Sequence, residues 1–166
     1  KIKENDIIVC VQGDEPMLHP EMINNCIKPF LKNKNVKCTV LAMDIIKKEQ
    51  YLDPNIVKIV SDLNDEVLYT SRSPIPYAKN FSRQTKARRI YGIFAFRWKF
   101  LKNFSKTKES FLEKVEACDS NRICDNGRGQ FIARQRYLNS FSVDCLVDLK
   151  KVEKFMKKDA LFKKYN

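Results

Sequence analysis

The chain has 166 residues and a formal net charge of +12, with 32 Lys and Arg against 20 Asp and Glu. This length suits one domain with its own core. No apolar run reaches the roughly 18 residues of a membrane span, and no signal-peptide pattern opens the chain. A basic balance is compatible with nucleic acid, but the lysines are scattered or alternate with apolar residues, which favours a solvated face.

The cysteines indicate a reduced compartment. Six are present without a CxxC pair, and His19 is the only histidine. A Cys/His zinc site is therefore not expected, and we predict a cytoplasmic protein. Because the chain begins with Lys1 rather than Met, we expect it to be part of a longer protein.

The first predicted element is the apolar run Ile7–Val11. Such a run predicts a strand buried on both faces, as in the middle of a parallel sheet. A Gly- and Pro-containing break ends it and places Gln12, Asp14 and Glu15 at the carboxyl end, where open α/β sheets bind ligands. A carboxylate there suits Mg²⁺. The alternative is a turn in which the Asp14 side chain bonds nearby backbone N–H groups.

Strands and helices then mix along the chain, which favours an α/β fold with a mixed β-sheet. The patterns predict a helix from Pro20 that Pro29 kinks or confines to its first turns, strands over 36–45, 56–61, 67–70, 90–98 and 131–134, a polar basic loop over 79–89, a helix over 110–118, a tight turn over 126–129 and a long helix after residue 144.

Two further segments carry candidate functional residues. Prolines at 74 and 76 stiffen the loop after Arg72, so this loop presents Arg72 in one direction; the alternative is an ordinary surface arginine. Asp144 precedes the last long helix, and the alternative is that it caps that helix. Because Asp14 and Asp144 each follow a predicted strand, we expect them to converge on one divalent ion.

An ordered set of motifs in the chain resembles motifs of the CMP-KDO synthetases, the 3-deoxy-manno-octulosonate (KDO) cytidylyltransferases. The matches span nearly the whole chain. They are Val11-Gln12-Gly13-Asp14-Glu15-Pro16 (VQGDEP in the family), residues 53–58 (DPNxVK), residues 68–76 (LYFSRxPIP), residues 92–97 (GIYAYR), Leu112-Glu113 with Glu116 (LExxE), and Ser142-Val143-Asp144 with Asp148-Leu149 (VDTPEDL).

The resemblance implies a nucleotidyltransferase, Rossmann-like three-layer fold with a mixed β-sheet. It implies that 1–166 is a single domain matching the carboxyl-terminal two-thirds of the family, without the amino-terminal segment that grips the CTP triphosphate. The implied reaction moves CMP from CTP to KDO or a related octulosonate or nonulosonate. It uses Mg²⁺, releases pyrophosphate and serves lipopolysaccharide or other surface polysaccharide. We expect the isolated fragment to be inactive; the alternative is a non-catalytic dimerisation or binding module.

The resemblance also implies residue roles and a homodimer. The metal-holding and catalytic residues would be Asp14 and Asp144, and the substrate-binding residues would be Gln12, Gly13, Glu15, Arg72 and Asp119, with Arg72 on the sugar's carboxylate. We expect the aromatic stretch 90–98 to contribute to the dimer contact, unless it is plain core.

The chain departs from the family at several sugar-side positions. Ile90 stands where the family has a sugar-contacting His, Phe94 stands for Tyr, Asp119-Ser120 stands for a Glu-Gln pair, and residues 145–147 replace TPE. These departures put KDO itself in doubt as the substrate.

Overall fold

One mixed β-sheet organises the computed structural model, which describes residues 1–127 and 129–165. Its strands are β1 (Ile7–Val11), β2 (Cys38–Asp44), β3 (Lys58–Ser61), β4 (Val67–Ser71), β5 (Arg88–Arg97) and β6 (Gln130–Gln135). Their order is β4-β3-β5-β2-β6, and β1 also pairs with β5. The β2–β6 pair is parallel, while β5 is antiparallel to β1, β2 and β3. The predicted mixed sheet is confirmed.

Helices cover both faces of this sheet. They are α1 (Pro20–Lys32), α2 (Lys48–Leu52), α3 (Trp98–Phe104), α4 (Phe111–Glu116), α5 (Ser120–Asp125), α6 (Leu146–Met156) and α7 (Ala160–Tyr165), with a 3₁₀ turn at Arg83–Thr85. Side chains alternate along β5. Tyr91, Ile93 and Ala95 therefore pack against α1, while Phe94 and Phe96 pack on the face covered by α3 and α5. The result is a three-layer α/β fold.

The predicted position of β1 in the middle of a parallel sheet is wrong. This strand is antiparallel to β5 and pairs with no other strand among the described residues. Its last two residues are exposed, and Val11 keeps 43% of its surface. An apolar run indicates that a strand contacts other apolar groups. It does not indicate which strand pairs with it or whether the pair is parallel or antiparallel.

The aromatic stretch 90–98 is mostly core, which favours the alternative given for it, and its role in a dimer contact stays a prediction. β5 has partners along both edges, and Tyr91, Phe94 and Phe96 are 0%, 7% and 8% exposed. The strand is apolar because it is the central strand and both of its faces are covered.

Helix α1 continues through Pro29 to Lys32 instead of ending after its first turns. Met22, Cys26 and Phe30 are buried on both sides of the proline, and their burial outweighs the hydrogen bond that the proline cannot donate.

Two smaller features complete the fold. In the predicted turn over 126–129, Gly127 and Gly129 have φ of 95° and 106°, which glycine adopts without strain; Arg128 lies outside the described residues. None of the helices in the described part of the chain has the length and apolarity to cross a membrane.

Candidate active site

The candidate site forms where β1 and β3 meet along one edge of β5. Both strands run antiparallel to β5, β1 beside its second half and β3 beside its first two residues. Between them, the Gln12 N–H donates to the Gly92 carbonyl at 2.9 Å, and the Ile90 N–H donates to the Val57 carbonyl at 2.9 Å. The carboxyl end of β1 therefore faces the start of β3, and the polar segment after Val11 emerges at this junction.

Glu15 fastens this segment to the loop before α6. Its Oε1 atom accepts the Gly92 N–H at 3.1 Å and the Ser142 hydroxyl at 2.8 Å. The Asp14 carbonyl accepts the Val143 N–H at 2.9 Å. Glu15 is 6% exposed and holds the two loops together, and its predicted contact with substrate stays a prediction. Burial raises the pKa of the Glu15 carboxyl, although both hydrogen bonds oppose the shift.

The joined loops bring Asp14 and Asp144 to the same part of the molecule. Both residues are exposed, and neither carboxylate has a hydrogen bond or ion pair with a described residue. Among the described residues, the Asp14 side chain makes no turn bond, and α6 is capped by Asp148, which accepts the Cys145 N–H at 3.2 Å. Asp144 lies in the loop after β6 rather than at a strand end, which corrects the sequence prediction.

Two carboxylates without partners among the described residues fit a hard divalent cation such as Mg²⁺, which keeps several positions for water and phosphate oxygens. In the described part of the chain, no three His, Cys, Asp or Glu side chains form a metal-holding group. The predicted protein ligands of such an ion are Asp14 and Asp144. The magnesium site stays a prediction.

A cavity of about 520 Å³, here called the Gln12 cavity, lies at the junction of β1 and β3. Two residues predicted to bind substrate, Gln12 and Asp119, line the same cavity. Val57, Ile90 and Phe94 form an apolar part of its wall. The structure therefore brings two distant predicted residues together, beside the positions where the chain departs from the family motifs. Gly13 follows Gln12 in the exposed segment, with open space where a Cβ would project.

A second cavity of about 700 Å³, here called the Asp144 cavity, lies beside the loop before α6. Arg89, Asn55 and Ser142 line it together with Asp144. Arg89 is 7% exposed and lies over the Tyr91 ring, 5.1 Å from its centre.

Arg72 lines neither cavity. Its Nε, Nη1 and Nη2 groups donate to the backbone carbonyls of Glu116 at 2.9 Å, Pro54 at 3.0 Å and Ala117 at 3.3 Å. Buried Lys58 donates to the Arg72 carbonyl at 2.5 Å. Arg72 thus ties the loop before β3 to the end of α4, and its contact with a sugar carboxylate stays a prediction.

Replacing Glu116 by Gln should lower the free energy of unfolding at neutral pH by about 1–3 kcal/mol. The carboxylate accepts the Arg72 N–H at 2.8 Å and the hydroxyls of Ser71 at 2.7 Å and Tyr69 at 2.9 Å. Burial alone raises the pKa of Glu116, but these bonds and the Arg72 charge outweigh it and hold the pKa below its usual value.

Because the pKa of Glu116 is lowered on folding, its stabilisation is present above the unfolded-state pKa and is lost as pH falls through the folded-state pKa. Urea unfolding from neutral to acid pH should therefore show the gap between wild type and Glu116→Gln closing at acid pH. A gap that does not change with pH would contradict this account.

Three further residues of this region, Arg89, Tyr91 and Ser140, were not among those predicted from the sequence. Arg89 Nη2 donates to the Ser140 carbonyl at 3.2 Å, and the Tyr91 and Ser140 hydroxyls are 2.5 Å apart. A signal was present. In β5, Arg89 lies in phase with Tyr91, Ile93 and Ala95, which all face the core, and an arginine in phase with buried positions indicates a special environment.

The comparisons with known proteins agree with this geometry. Residues 1–164 match the family model described as cytidylyltransferase. The chain is 40% identical over 156 residues to a 3-deoxy-manno-octulosonate cytidylyltransferase from Chloroherpeton thalassium, covering 92% of this chain and 63% of that protein. It is 37% identical over 158 residues to a protein of the same name from Thermodesulfovibrio yellowstonii, covering 92% and 61%. The chain thus spans less than two thirds of these relatives, and its assignment to their carboxyl-terminal part stays a prediction.

Solved structures support the same fold. A CMP:2-keto-3-deoxy-manno-octonic acid synthetase complexed with CTP superposes with a TM-score of 0.82 at 28% identity, over 92% of this chain and 62% of that one. A glucose-1-phosphate thymidylyltransferase from Bacillus anthracis superposes with a TM-score of 0.53 at 15% identity, which supports the fold alone. From the family match over almost the whole chain, we conclude that this protein belongs to the cytidylyltransferase family.

Proposed function

We propose that this chain is the metal- and sugar-side part of an enzyme that transfers CMP from CTP to a 2-keto sugar acid and releases pyrophosphate. The sugar acid is KDO or a related octulosonate or nonulosonate used for surface polysaccharide. The observation that carries the proposal is the junction of two loops, each with an exposed carboxylate free of described protein partners, at Asp14 and Asp144.

Different residues have different roles in such a reaction. A bound Mg²⁺ would neutralise the charge that builds on the phosphates during in-line attack by the sugar hydroxyl. Asp14 and Asp144 would hold this ion, and Glu15 fixes their loops through Gly92 and Ser142. This buried connection keeps the two aspartates in place before substrate arrives, which lowers the cost of reaching the reactive geometry.

The Gln12 cavity is the proposed place of the sugar. Gln12 and Asp119 offer hydrogen-bonding groups to hydroxyls, while Ile90 and Phe94 offer apolar surface. A sugar site selects its substrate by satisfying each buried polar group. The preferred sugar acid must therefore be found by measurement with a panel.

The test is pyrophosphate release by the full-length protein with CTP, Mg²⁺ and a panel of 2-keto sugar acids that includes KDO. Turnover that requires all three components supports the proposal. If no sugar acid in the panel is turned over while CTP still binds, the non-catalytic binding module becomes the better account. The same assay on residues 1–166 alone tests the expectation that the fragment is inactive.

The proposed homodimer and cytoplasmic location need separate measurements. Light scattering at tens of micromolar protein gives the mass in solution, and a monomer would contradict the dimer. Fractionation of the source cells would test the location.

A further inference from the structure

We propose that Arg89 binds an oxyanion of the substrate, a carboxylate or a phosphate, in the Asp144 cavity. The inference deepens the proposed function and rests on it, because both substrates of that reaction are anions. Arg89 is a charged residue of β5, and it alternates in phase with Tyr91, Ile93 and Ala95, which face the core.

The burial of Arg89 is nearly complete, yet it lines an open cavity. The residue is 7% exposed, and it lines the Asp144 cavity together with Asn55, Ser142 and Asp144. An arginine keeps its charge at every ordinary pH. A buried charge without a close counter-charge is costly, so an opposite charge that reaches it is strongly favoured.

The protein satisfies little of the bonding capacity of Arg89. Nη2 contacts the Ser140 carbonyl at 3.2 Å and the Met43 sulfur at 3.8 Å. Nε and Nη1 have no hydrogen-bond partner among the described residues, and no described carboxylate lies within ion-pair distance. Glu15 acts on Arg89 only through its more distant charge. Three N–H bonds of the guanidinium are therefore left for a ligand.

Arg72 presents the opposite case. Its Nε, Nη1 and Nη2 groups each donate to a backbone carbonyl. Arg89 has three N–H bonds free, one on Nε and two on Nη1, so an oxyanion can bind there without breaking bonds already made. Arg72 has only two free, one on Nη1 and one on Nη2.

Other charges in the Asp144 cavity do not replace the missing partner. The acidic side chains on its walls are Glu49, Asp53, Asp144 and Asp148, and the other basic ones are Lys47 and Lys151. Asp148 caps α6, and Lys151 lies 3.5 Å from the centre of the Phe141 ring. A divalent ion at Asp144 would leave the cavity net positive, which favours an anion in the cavity that Arg89 lines.

The test compares Arg89→Lys with wild type in the full-length protein by measuring KM for CTP and for KDO, or for the best sugar acid of the panel. Lys keeps the charge and loses the fork. We expect the KM for one anionic substrate to rise about tenfold or more. A rise for the sugar acid alone identifies its carboxylate; a rise for CTP, with weaker inhibition by inorganic pyrophosphate, identifies a phosphate. Unchanged values for both substrates would overturn the proposal.

Two arginine variants serve as controls. Arg88 lies on the opposite face of β5 and pairs with Asp44 at 3.3 Å, so Arg88→Lys should leave both KM values unchanged. Arg72→Lys tests the sequence prediction directly. If it raises the KM for the sugar acid while Arg89→Lys changes neither KM, the oxyanion belongs to Arg72 and our inference is wrong.

Direct binding separates this inference from the proposed function. Calorimetric titrations with KDO and with inorganic pyrophosphate measure binding and need no turnover. If the wild type shows no turnover but Arg89→Lys binds a probe more weakly than wild type, the proposed function is wrong and this inference stands. If the wild type shows turnover but Arg89→Lys binds both probes as tightly as wild type, the proposed function stands and this inference is wrong. If Arg89→Lys does not fold, the Tm of wild type is measured with each probe at constant ionic strength. A Tm that neither probe raises would overturn the inference.

Discussion

Asp14→Asn and Asp144→Asn are each expected to reduce Mg²⁺-dependent pyrophosphate release by the full-length protein roughly a thousandfold or more, since a metal ion supplies several kcal/mol of charge stabilisation to such a transition state. Asn keeps the size of the side chain and removes the negative charge. Both carboxylates are exposed and have no bond to a described residue, so the fold should not depend on them.

The measurement is initial rate against Mg²⁺ concentration, with Tm recorded for each variant. Asp65→Asn is the matched control. Asp65 lies in the β3–β4 turn, pairs with Arg134 and has a φ of 69°, a conformation that Asn tolerates well. It should keep full activity. Near-wild-type turnover by Asp14→Asn or Asp144→Asn at limiting Mg²⁺ would refute the two-carboxylate site.

Gly92→Ala is expected to damage stability and activity together. A Cβ on Gly92 would lie 2.5 Å from Gln12 Oε1, 2.8 Å from Glu15 Cγ and 3.0 Å from Glu15 Oε1. Overpacking of this kind costs about 1–3 kcal/mol. Displacement of Glu15 would also loosen its bond to Ser142, which helps to hold the Asp14 and Asp144 loops together. We therefore expect a clear fall in Tm and a loss of turnover larger than the loss of folded protein.

Gly13→Ala is the control for the stability part of this prediction. Nothing lies within 4 Å of a Cβ at Gly13, so its Tm should stay close to that of wild type. Gly92→Ala and Gly13→Ala each add one methyl group. The difference between their Tm values therefore measures the effect of the close contacts of Gly92 with Gln12 and Glu15. Equal Tm values for the two variants would show that the site tolerates the methyl group.

The sheet illustrates what a local pattern can and cannot predict. The run Ile7–Val11 and the alternation in 36–45 indicate strands because side chains alternate within a single segment. The pairing of β1 with β5 in the antiparallel direction depends on residues far along the chain, and no feature of the run itself encodes it. The same limit explains the aromatic stretch 90–98, whose burial follows from strands on both sides of β5.

The site follows the same division. The motifs predict Gln12, Asp14 and Asp144 as site residues, and the apolar run before Gln12 and Asp14 supports the first two. Glu15 looked equally available for substrate, because sequence cannot distinguish an exposed carboxylate from one that bonds Gly92 and Ser142. Arg72 and Arg89 were likewise indistinguishable in kind, although one donates to three carbonyls and the other lines a cavity with unused donors.

The sequence by itself determined the main strands and the longest helices, the mixed α/β class and the motifs that place the chain among cytidylyltransferases. These properties are local, because side-chain periodicity, turn residues and short motifs are each contained in one segment. Only the tertiary structure decided which carboxylates are free, which arginine has unused donors and which residues share a cavity. Those properties depend on neighbours from distant segments, since Asp14 bonds to Val143, and Gln12 and Asp119 line one cavity, only after the sheet has assembled.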